Sequence, residues 1–269
     1  MTEQKQLTFS YTTFFKYQLT ACYTLARKES VRIFRIWKVT ITPPVISISL
    51  FCLVFGQILG KKIGGISGVS YLEFIIPGLI MNIVTNESFS NNASTIMIDK
   101  FNRSIESLVT SPIHEFTILI GYFLGCLLRV FLAGGVAFLL VTWLSGIMVQ
   151  DWLLFIYTIF VTTALFSFLG FINGLYASKF DEITLIPTFI LTPLSFFGGV
   201  FYDITTLPEP WRSLSWYNPV VYILDTFRYS MIGVSLHDVN ECLMVVTGVM
   251  VILFAACFLL LRSGYGLRN

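Results

Sequence analysis

Long stretches without a charged residue are the feature that most constrains this chain. Residues 39–60, 152–178, 183–202 and 242–261 contain no Asp, Glu, Lys or Arg, and residues 116–150 contain only Arg129. A bilayer core of about 30 Å requires roughly 20 mostly apolar residues for one helix. Each stretch is long enough to span, so the sequence predicts an integral membrane protein.

The composition excludes the other broad classes. Only 12% of the residues are charged and the mean hydropathy is +0.79, whereas about a quarter of a typical soluble domain is charged. The 26 Phe residues exclude a disordered chain. A net charge of +2 is too small to indicate nucleic acid as a partner. The five cysteines form no CxxC pair and are interpreted as small buried apolar residues, so no metal site is predicted.

The predicted fold is an all-α membrane protein with six transmembrane helices. A sixth stretch, 72–95, is apolar at its start but contains Glu73 and Glu87. The expected spans lie near 40–60, 72–95, 116–145, 152–176, 184–202 and 241–261. Of the 17 Lys and Arg residues, twelve lie in one set of segments, four in the other and Arg129 within a span. This imbalance places both termini in the cytoplasm.

The N-terminal segment before the first span mixes aromatic and basic residues. Lys28, Arg32 and Arg35 are spaced to share one helical face. The preferred interpretation is a helix on the cytoplasmic membrane surface, with its basic side toward lipid headgroups. The alternative is a merely solvated flanking helix.

The second predicted span is unusually polar in its inner half. Its polar residues are Asn82, Thr85, Asn86, Glu87, Ser88, Ser90, Asn91, Asn92, Ser94 and Thr95. Hydrocarbon does not tolerate so many polar groups, so they must meet protein or water. They either line a translocation path or form hydrogen bonds between helices, and the sequence leaves both open.

Arg129 is the one charge within the third predicted span, where it costs roughly 2.5–3.5 kcal/mol on insertion scales. It is expected to face inward with an acceptor, and Glu87 is the nearest by depth. The pair is either a tie between helices or, through Arg129, a contact for an anionic substrate.

Two segments outside the spans have their own pattern. Residues 98–114 combine charges with apolar residues at near-helical spacing, which indicates a short amphipathic helix that docks a soluble protein or only connects two spans. Residues 203–238 are rich in proline and aromatic residues, with apolar runs too short to span. Such runs favour re-entrant or interfacial half-helices.

Motifs for catalysis and ATP hydrolysis do not fit. Ser67 lies in a G-x-S-G sequence, but in an external turn and without a histidine on a span to activate it. GQILGKK (56–62) is not a phosphate-binding loop, and there is no HExxH. The chain is not expected to be an enzyme. Energy for active transport must come from a partner or an ion gradient.

Several motifs occur in order between Pro187 and Gly233. They are FFGGVFY (196–202), Leu207-Pro208, Asn218-Pro219 and an acidic-x-x-Arg element from Asp225 to Arg228. In this order they resemble the signature region of ABC-2 type transporter permeases. Segments 43–56, 71–82, 101–113 and 264–268 are similar to the same family, in particular to inner-membrane permeases of Gram-negative bacteria.

The resemblance implies one membrane domain over residues 1–269. It implies an interfacial connecting helix (11–38), a cytoplasmic coupling helix (99–110) and re-entrant helices in the external region 203–238. The implied partners are a second copy of the chain, membrane lipids and two copies of an ABC ATP-binding subunit. ATP and Mg would bind that subunit, and no cofactor is expected on this chain.

The implied site residues form two groups. Contact with the ATP-binding subunit maps onto Asp99, Lys100, Phe101, Arg103, Ile105, Glu106 and Leu108. The substrate path at the dimer interface maps onto Asn82, Thr85, Asn86, Phe196, Phe197, Gly198 and Gly199. The implied function is outward movement of an amphipathic lipid, lipid-linked glycan or drug across the bacterial inner membrane. The alternative is an ion-coupled secondary transporter using Glu87, although the chain shows no internal repeat.

Overall fold

The computed structural model describes residues 11–60, 65–66 and 68–264, and within them the chain is predominantly helical. The α-helices are α1 (Tyr11–Arg35), α2 (Trp37–Phe51), α3 (Tyr71–Phe101), α4 (Ser104–Thr110), α5 (Glu115–Ser145), α6 (Trp152–Tyr176), α7 (Phe180–Ile186), α8 (Thr192–Phe197), α9 (Trp211–Ser215), α10 (Pro219–Ile232) and α11 (Val239–Ser263). π-helical turns cover Cys52–Leu59 and Pro187–Leu191, and a 3-10 turn covers Ile204–Thr206. Strands β1 (Gly65–Ile66) and β2 (Val69–Ser70) pair antiparallel, with Gly65 opposite Ser70.

Five helical segments in the described part of the chain are long and apolar enough to cross a membrane. They are Trp37–Gly56, Glu115–Ser145, Trp152–Tyr176, Phe180–Phe197 and Val239–Ser263. Each coincides with one of the uncharged stretches to within a few residues. The second predicted span corresponds to α3, which is 31 residues long but is not among the five.

α3 lies at the centre of the fold. It packs against α5, α6 and α10, and most of its residues are buried. The approach to α6 is close, because a Cβ atom at Gly170 would collide with the backbone carbonyl of Phe89. Small residues of this kind let two membrane helices pack backbone to backbone. α11 is peripheral by comparison, because only 11% of its most apolar 18-residue segment is buried.

Local sequence signals explain where the helices begin. The Asp151 carboxylate accepts a hydrogen bond from the Leu154 amide at the start of α6, and Asp238 caps α11 in the same way. Asn218 caps α10, where Pro219 fills the first helical position. Short polar side chains satisfy amides that have no partner within the helix. These caps fix the ends of spans that hydropathy alone places loosely.

The span predicted near 184–202 is not one regular helix. It begins at Phe180 and ends at Phe197, before the Gly198-Gly199 pair, and a π-helical turn separates α7 from α8. Pro187 starts that turn and Pro193 follows it. Because proline lacks the backbone donor of a regular turn, it interrupts the α-helical ladder.

The region 203–238, which was predicted to be external, is largely helical. It contains the 3-10 turn, α9 and the 14-residue α10, which packs against α3, α6 and α11. Glu209 accepts hydrogen bonds from Ser213 and Arg212 at the start of α9, and these bonds lower the pKa of the Glu209 carboxyl. Because α10 packs against three other helices, it belongs to the helical core.

Candidate functional site

The polar residues of α3 lie on two different faces. Ser88, Asn91, Asn92 and Thr95 are at most 2% exposed. Their side chains serve contacts inside the chain, for example from Asn92 Nδ2 to Ser167 Oγ of α6 at 2.6 Å. Thr85 is also buried. This face is used for hydrogen bonding between helices, which is one of the two alternatives that the sequence left open.

A second polar face of α3 is only half-buried. Asn82, Asn86, Ser90 and Ser94 follow at four-residue intervals, so they form one stripe along the helix. Their described hydrogen bonds are local to α3: the Asn86 amide donates to the Asn82 carbonyl at 2.9 Å, and Ser94 donates to the Ser90 carbonyl. We call these four residues the open polar stripe. Among the residues that the structure describes, no other helix covers this stripe completely.

Glu87 and Arg129 are in direct contact. Arg129 Nε of α5 donates to Glu87 Oε2 of α3 at 2.6 Å, and both side chains are largely buried, at 13% and 16% exposed. Each charge therefore has a partner of opposite sign at a depth where an isolated charge is costly. The pair ties α3 to α5.

α1 joins the bundle through an acidic residue that the sequence interpretation missed. Glu29 is fully buried, and its Oε2 accepts hydrogen bonds from Arg32 and from Thr95 of α3. Arg32 also donates to Asn91 Oδ1 at 2.8 Å. Gly125 of α5 leaves room for the Glu29 stem, since a Cβ atom at Gly125 would collide with it. The available signal was the spacing of Leu25, Glu29 and Ile33, which is that of a packed helical face.

Two of the three basic residues of α1 that were expected to face lipid headgroups contact acceptors within the chain. Lys28 Nζ contacts both carboxylate oxygens of Asp99, at 2.6 and 2.7 Å, and Arg32 faces Glu29 and Asn91. Arg35 remains exposed. The Arg32 side chain is 20% exposed and is held among these acceptors, whereas the Lys28 side chain stays 43% exposed and supplies a partner to the buried Asp99 carboxylate.

Asp99 connects four helices near the C-terminal end of α3. Besides Lys28 of α1, it accepts hydrogen bonds from Tyr122 of α5 at 2.6 Å and from Ser104 of α4 at 2.9 Å. The Asp99 side chain is only 4% exposed. Movement of α4 is therefore linked by hydrogen bonds to α1, α3 and α5.

The predicted coupling helix over 99–110 is not continuous. α3 extends to Phe101, Arg103 has a left-handed backbone with φ of 54°, and α4 starts at Ser104. Asp99, Lys100 and Phe101 thus belong to the last turn of α3, where Lys100 binds the carbonyls of Leu175 and Ala177. The break occurs because a residue with positive φ cannot continue a right-handed helix.

The predicted coupling residues differ in exposure. Ile105 is buried and Leu108 is half-buried, so they hold α4 against the bundle. Arg103 and Glu106 are exposed, and so is Phe101, which stacks on Phe180 at 5.0 Å between ring centroids. A soluble partner at this surface would therefore meet Phe101, Arg103 and Glu106.

The Gly198-Gly199 pair forms a turn that α10 holds in place. Gly199 has φ of +82°, a conformation that disfavours other residues. Arg228 of α10 donates to the Gly199 carbonyl at 2.9 Å, and its guanidinium lies 3.9 Å from the centroid of the Phe74 ring of α3. Arg228 was counted among the external basic residues, but it is only 3% exposed.

Aromatic rings surround this turn. Phe196 is 53% exposed and contacts Phe201, which in turn contacts Phe51 and Phe55 of the first predicted span. Phe197 is partly exposed and stacks on Trp211. The structure thus places the predicted Phe196 and Phe197 at an aromatic surface, whereas Asn82 and Asn86 lie on the open polar stripe of α3.

The family is established by comparison with known proteins. The model of the ABC-2 type transporter family matches residues 20–232, and the chain belongs to this family. The matched segment includes the buried network of α1 and α3, the Glu87–Arg129 pair and the Gly199–Arg228 contact. The resemblance found in the sequence is therefore confirmed.

Among its relatives is the inner membrane transport permease YadH of Escherichia coli (strain K12). The two are 40% identical over 247 residues, which cover 90% of this chain and 94% of the relative. The nodulation protein J of Sinorhizobium fredii is 26% identical over 205 residues, or 74% of this chain and 77% of that protein. With its apolar helices, the chain is a multi-pass inner-membrane permease of the ABC-2 type.

Proposed function

We propose that this chain is the permease subunit of an ATP-driven exporter that moves an amphipathic substrate outward. In this proposal two copies of the chain work with two copies of a separate ATP-binding subunit. That subunit binds ATP and Mg, and this chain performs no catalysis. The observation that carries the proposal is the open polar stripe on α3. Such a stripe is unfavourable against lipid tails, so a second copy, water or substrate must cover it.

The proposed arrangement uses α3 as the sixth span. Its 31 residues extend about 46 Å at 1.5 Å per residue, which exceeds the hydrocarbon thickness. α9 and α10 are the proposed re-entrant helices, and both termini are cytoplasmic. α1 would then lie at the cytoplasmic interface, with Arg35 available to lipid headgroups and Glu29 holding it to the bundle.

The proposed substrate class follows from two surfaces, the open polar stripe and the aromatic surface at Phe196 and Phe197. Asn82 and Asn86 offer amide groups, whereas Phe196 and Phe197 offer exposed aromatic rings. A molecule with a polar and an apolar part satisfies both surfaces, and a lipid, a lipid-linked glycan or a drug fits this description. The shared pathway would open when two chains rearrange at their interface.

Coupling to ATP would pass through α4 and Asp99. Closure of the ATP-binding subunits would push on Phe101, Arg103 and Glu106. The Asp99 hydrogen bonds would then carry the movement to α1, α3 and α5. Such coupling requires contacts that differ between the nucleotide states.

The first experiment is a gentle purification of the tagged chain from its native membrane, followed by measurement of mass and ATPase activity. A soluble ATP-binding subunit at one per permease is the expected result. Recovery of the chain alone, without ATPase activity at high concentration, would contradict the proposal. Transport driven by a proton gradient and insensitive to ATP would favour the ion-coupled alternative, although Arg129 already neutralises Glu87.

A substitution in the coupling surface tests the mechanism. Phe101→Asp places a charge on the exposed ring position next to Phe180, so it should lower transport-linked ATP turnover without unfolding the spans. Phe101→Leu is the matched control, since it keeps an apolar contact, and it should retain most of the activity. Equal activity of Phe101→Asp and the unaltered protein would remove Phe101 from the coupling pathway.

A further inference from the structure

Three side chains of metal-binding type meet between α10 and α11. They are Asp225 of α10, His237 of the connecting loop and Cys242 in the first turns of α11. Their ligand atoms all lie within 4.8 Å of one another. Asp225 and Cys242 are each 1% exposed, and the His237 side chain is 18% exposed. The proposed function uses none of the three.

We propose that Asp225, His237 and Cys242 form a binding site for a zinc-class divalent metal ion. Imidazole, thiolate and carboxylate are the ligands from which protein zinc sites are built. Three protein ligands leave one position of a tetrahedral ion open. The ion would link α10, the connecting loop and α11 on the external side of the protein.

The distances suit such an ion. His237 Nδ1 lies 3.0 Å from Asp225 Oδ2, and Cys242 Sγ lies 4.0 Å from the same oxygen. Bond lengths of about 2.0–2.3 Å require ligand atoms roughly 3.3–3.8 Å apart in a tetrahedron. The first separation therefore needs to lengthen and the second to shorten by less than about 1 Å, and the third, from His237 to Cys242, is at most 4.8 Å.

The carboxylate is already held in position by the backbone. The amides of Leu236 and His237 donate to Asp225 at 2.8–3.0 Å. Hydrogen bonds of this kind orient metal ligands and are part of the design of metal sites. They also explain why the loop between Gly233 and α11 returns to α10. Metal binding must replace two contacts to Asp225 Oδ2, one from His237 Nδ1 and one from the Cys242 thiol.

The surrounding charge favours a cation. Asp238 and Glu241 lie next to the cluster in sequence, and residues 229–261 contain no Lys or Arg. The nearest basic residue in sequence, Arg228, is directed to the Gly199 carbonyl and the Phe74 ring. The edge-on contact of Trp216 with the His237 ring, at 4.5 Å between centroids, limits the freedom of the imidazole.

The test is a cobalt titration of the purified full-length protein in detergent, with a reductant that contains no thiol. Co²⁺ replaces Zn²⁺ in such sites and reports a thiolate ligand by a charge-transfer band in the near ultraviolet. We expect about one Co²⁺ per chain, with that band, and loss of the band when Zn²⁺ is added. Absence of the band at saturating Co²⁺ would overturn the proposal.

Variants locate the site. Cys242→Ser should abolish the thiolate band, and His237→Asn should weaken Zn²⁺ binding about tenfold or more. Cys257→Ser, about 22 Å further along α11, and His114→Asn, outside the cluster, are the matched controls and should bind as the unaltered protein does. If Cys242→Ser does not fold, His237→Asn decides by the same readout. Zn²⁺ binding that is unchanged in His237→Asn, or lost in Cys257→Ser, would assign the ion to another site.

Discussion

Buried ionic groups are the residues at which a single substitution is expected to lower stability most. The pairs Glu87–Arg129, Glu29–Arg32 and Asp99–Lys28 each contain at least one charge that is largely buried. Such pairs contribute modestly as a whole, but removal of one partner leaves an uncompensated charge. Single substitutions at these positions are therefore informative about function and stability.

The Glu87–Arg129 pair is expected to behave as a unit. Glu87→Ala or Arg129→Ala should each destabilise the protein by about 3–5 kcal/mol, because each leaves one buried charge unpaired. The double variant should lose clearly less than the sum of the two. A thermal unfolding series of the four proteins in detergent measures this coupling. Simple additivity would show that the contact contributes nothing as a pair.

Glu29 is predicted to be essential for attachment of α1. Glu29→Ala leaves Arg32 without an acidic partner, although Arg32 and Thr95 each keep a hydrogen bond to Asn91. The stability loss should be about 3–5 kcal/mol, because the Arg32 charge is then uncompensated. The matched control is Glu106→Ala, an exposed acidic residue of α4, which should change stability by less than about 0.5 kcal/mol. The same unfolding measurement compares the two. Equal, small effects would mean that α1 is held by apolar packing alone.

At the level of helices, close packing of α3 on α6 determines the shape of the bundle. A Cβ atom at Gly174 would lie 2.9 Å from the Ala93 carbonyl, and one at Gly170 would collide with the Phe89 carbonyl. The obstructing atoms are these carbonyls and, at Gly174, the Cβ atom of Ile96, and rotation of a side chain moves none of them. The distance between these two helices therefore depends on glycine.

Gly170→Ala should consequently destabilise the protein, whereas Gly135→Ala should not. Both glycines lie within long helices, but a Cβ atom at Gly135 meets no atom within 4 Å. At that site alanine should gain up to about 1 kcal/mol from its higher helix propensity. Melting temperature and the yield of monodisperse protein compare the two variants. A Gly170→Ala protein as stable as Gly135→Ala would show that α6 can move away without cost.

For the molecule as a whole, the number of spans determines where the termini lie. Five spans would put the two termini on opposite sides of the membrane, and six would put them on the same side. α3 makes the difference, since it lies among the other helices but is too polar to be identified as a span by composition.

Reporter fusions at the two ends therefore test whether α3 spans. We expect a fluorescent protein to be fluorescent, and alkaline phosphatase to be inactive, when fused to either terminus, because both ends are proposed to be cytoplasmic. A phosphatase fusion after residue 207, in the region proposed to be external, should be active, because α3 makes five spans before this position. Opposite results at the two termini would exclude the six-span arrangement.

Much of this protein is determined by its sequence alone. Uncharged stretches long enough to cross the bilayer predict the five apolar helical segments. Asp151, Asn218 and Asp238 mark where α6, α10 and α11 begin. These features depend on neighbours in the chain. The order of motifs from Phe196 to Arg228 was sufficient to indicate the family.

Only the tertiary structure decided which way the polar groups face. Lys28 meets Asp99 across 71 residues and Asn92 meets Ser167 across 75, so no local pattern predicts these contacts. The same holds for Arg228, which is basic and close to a predicted loop yet buried against Gly199. A charged residue turns inward when a distant acceptor is brought to it, and that placement is a property of the packed helices.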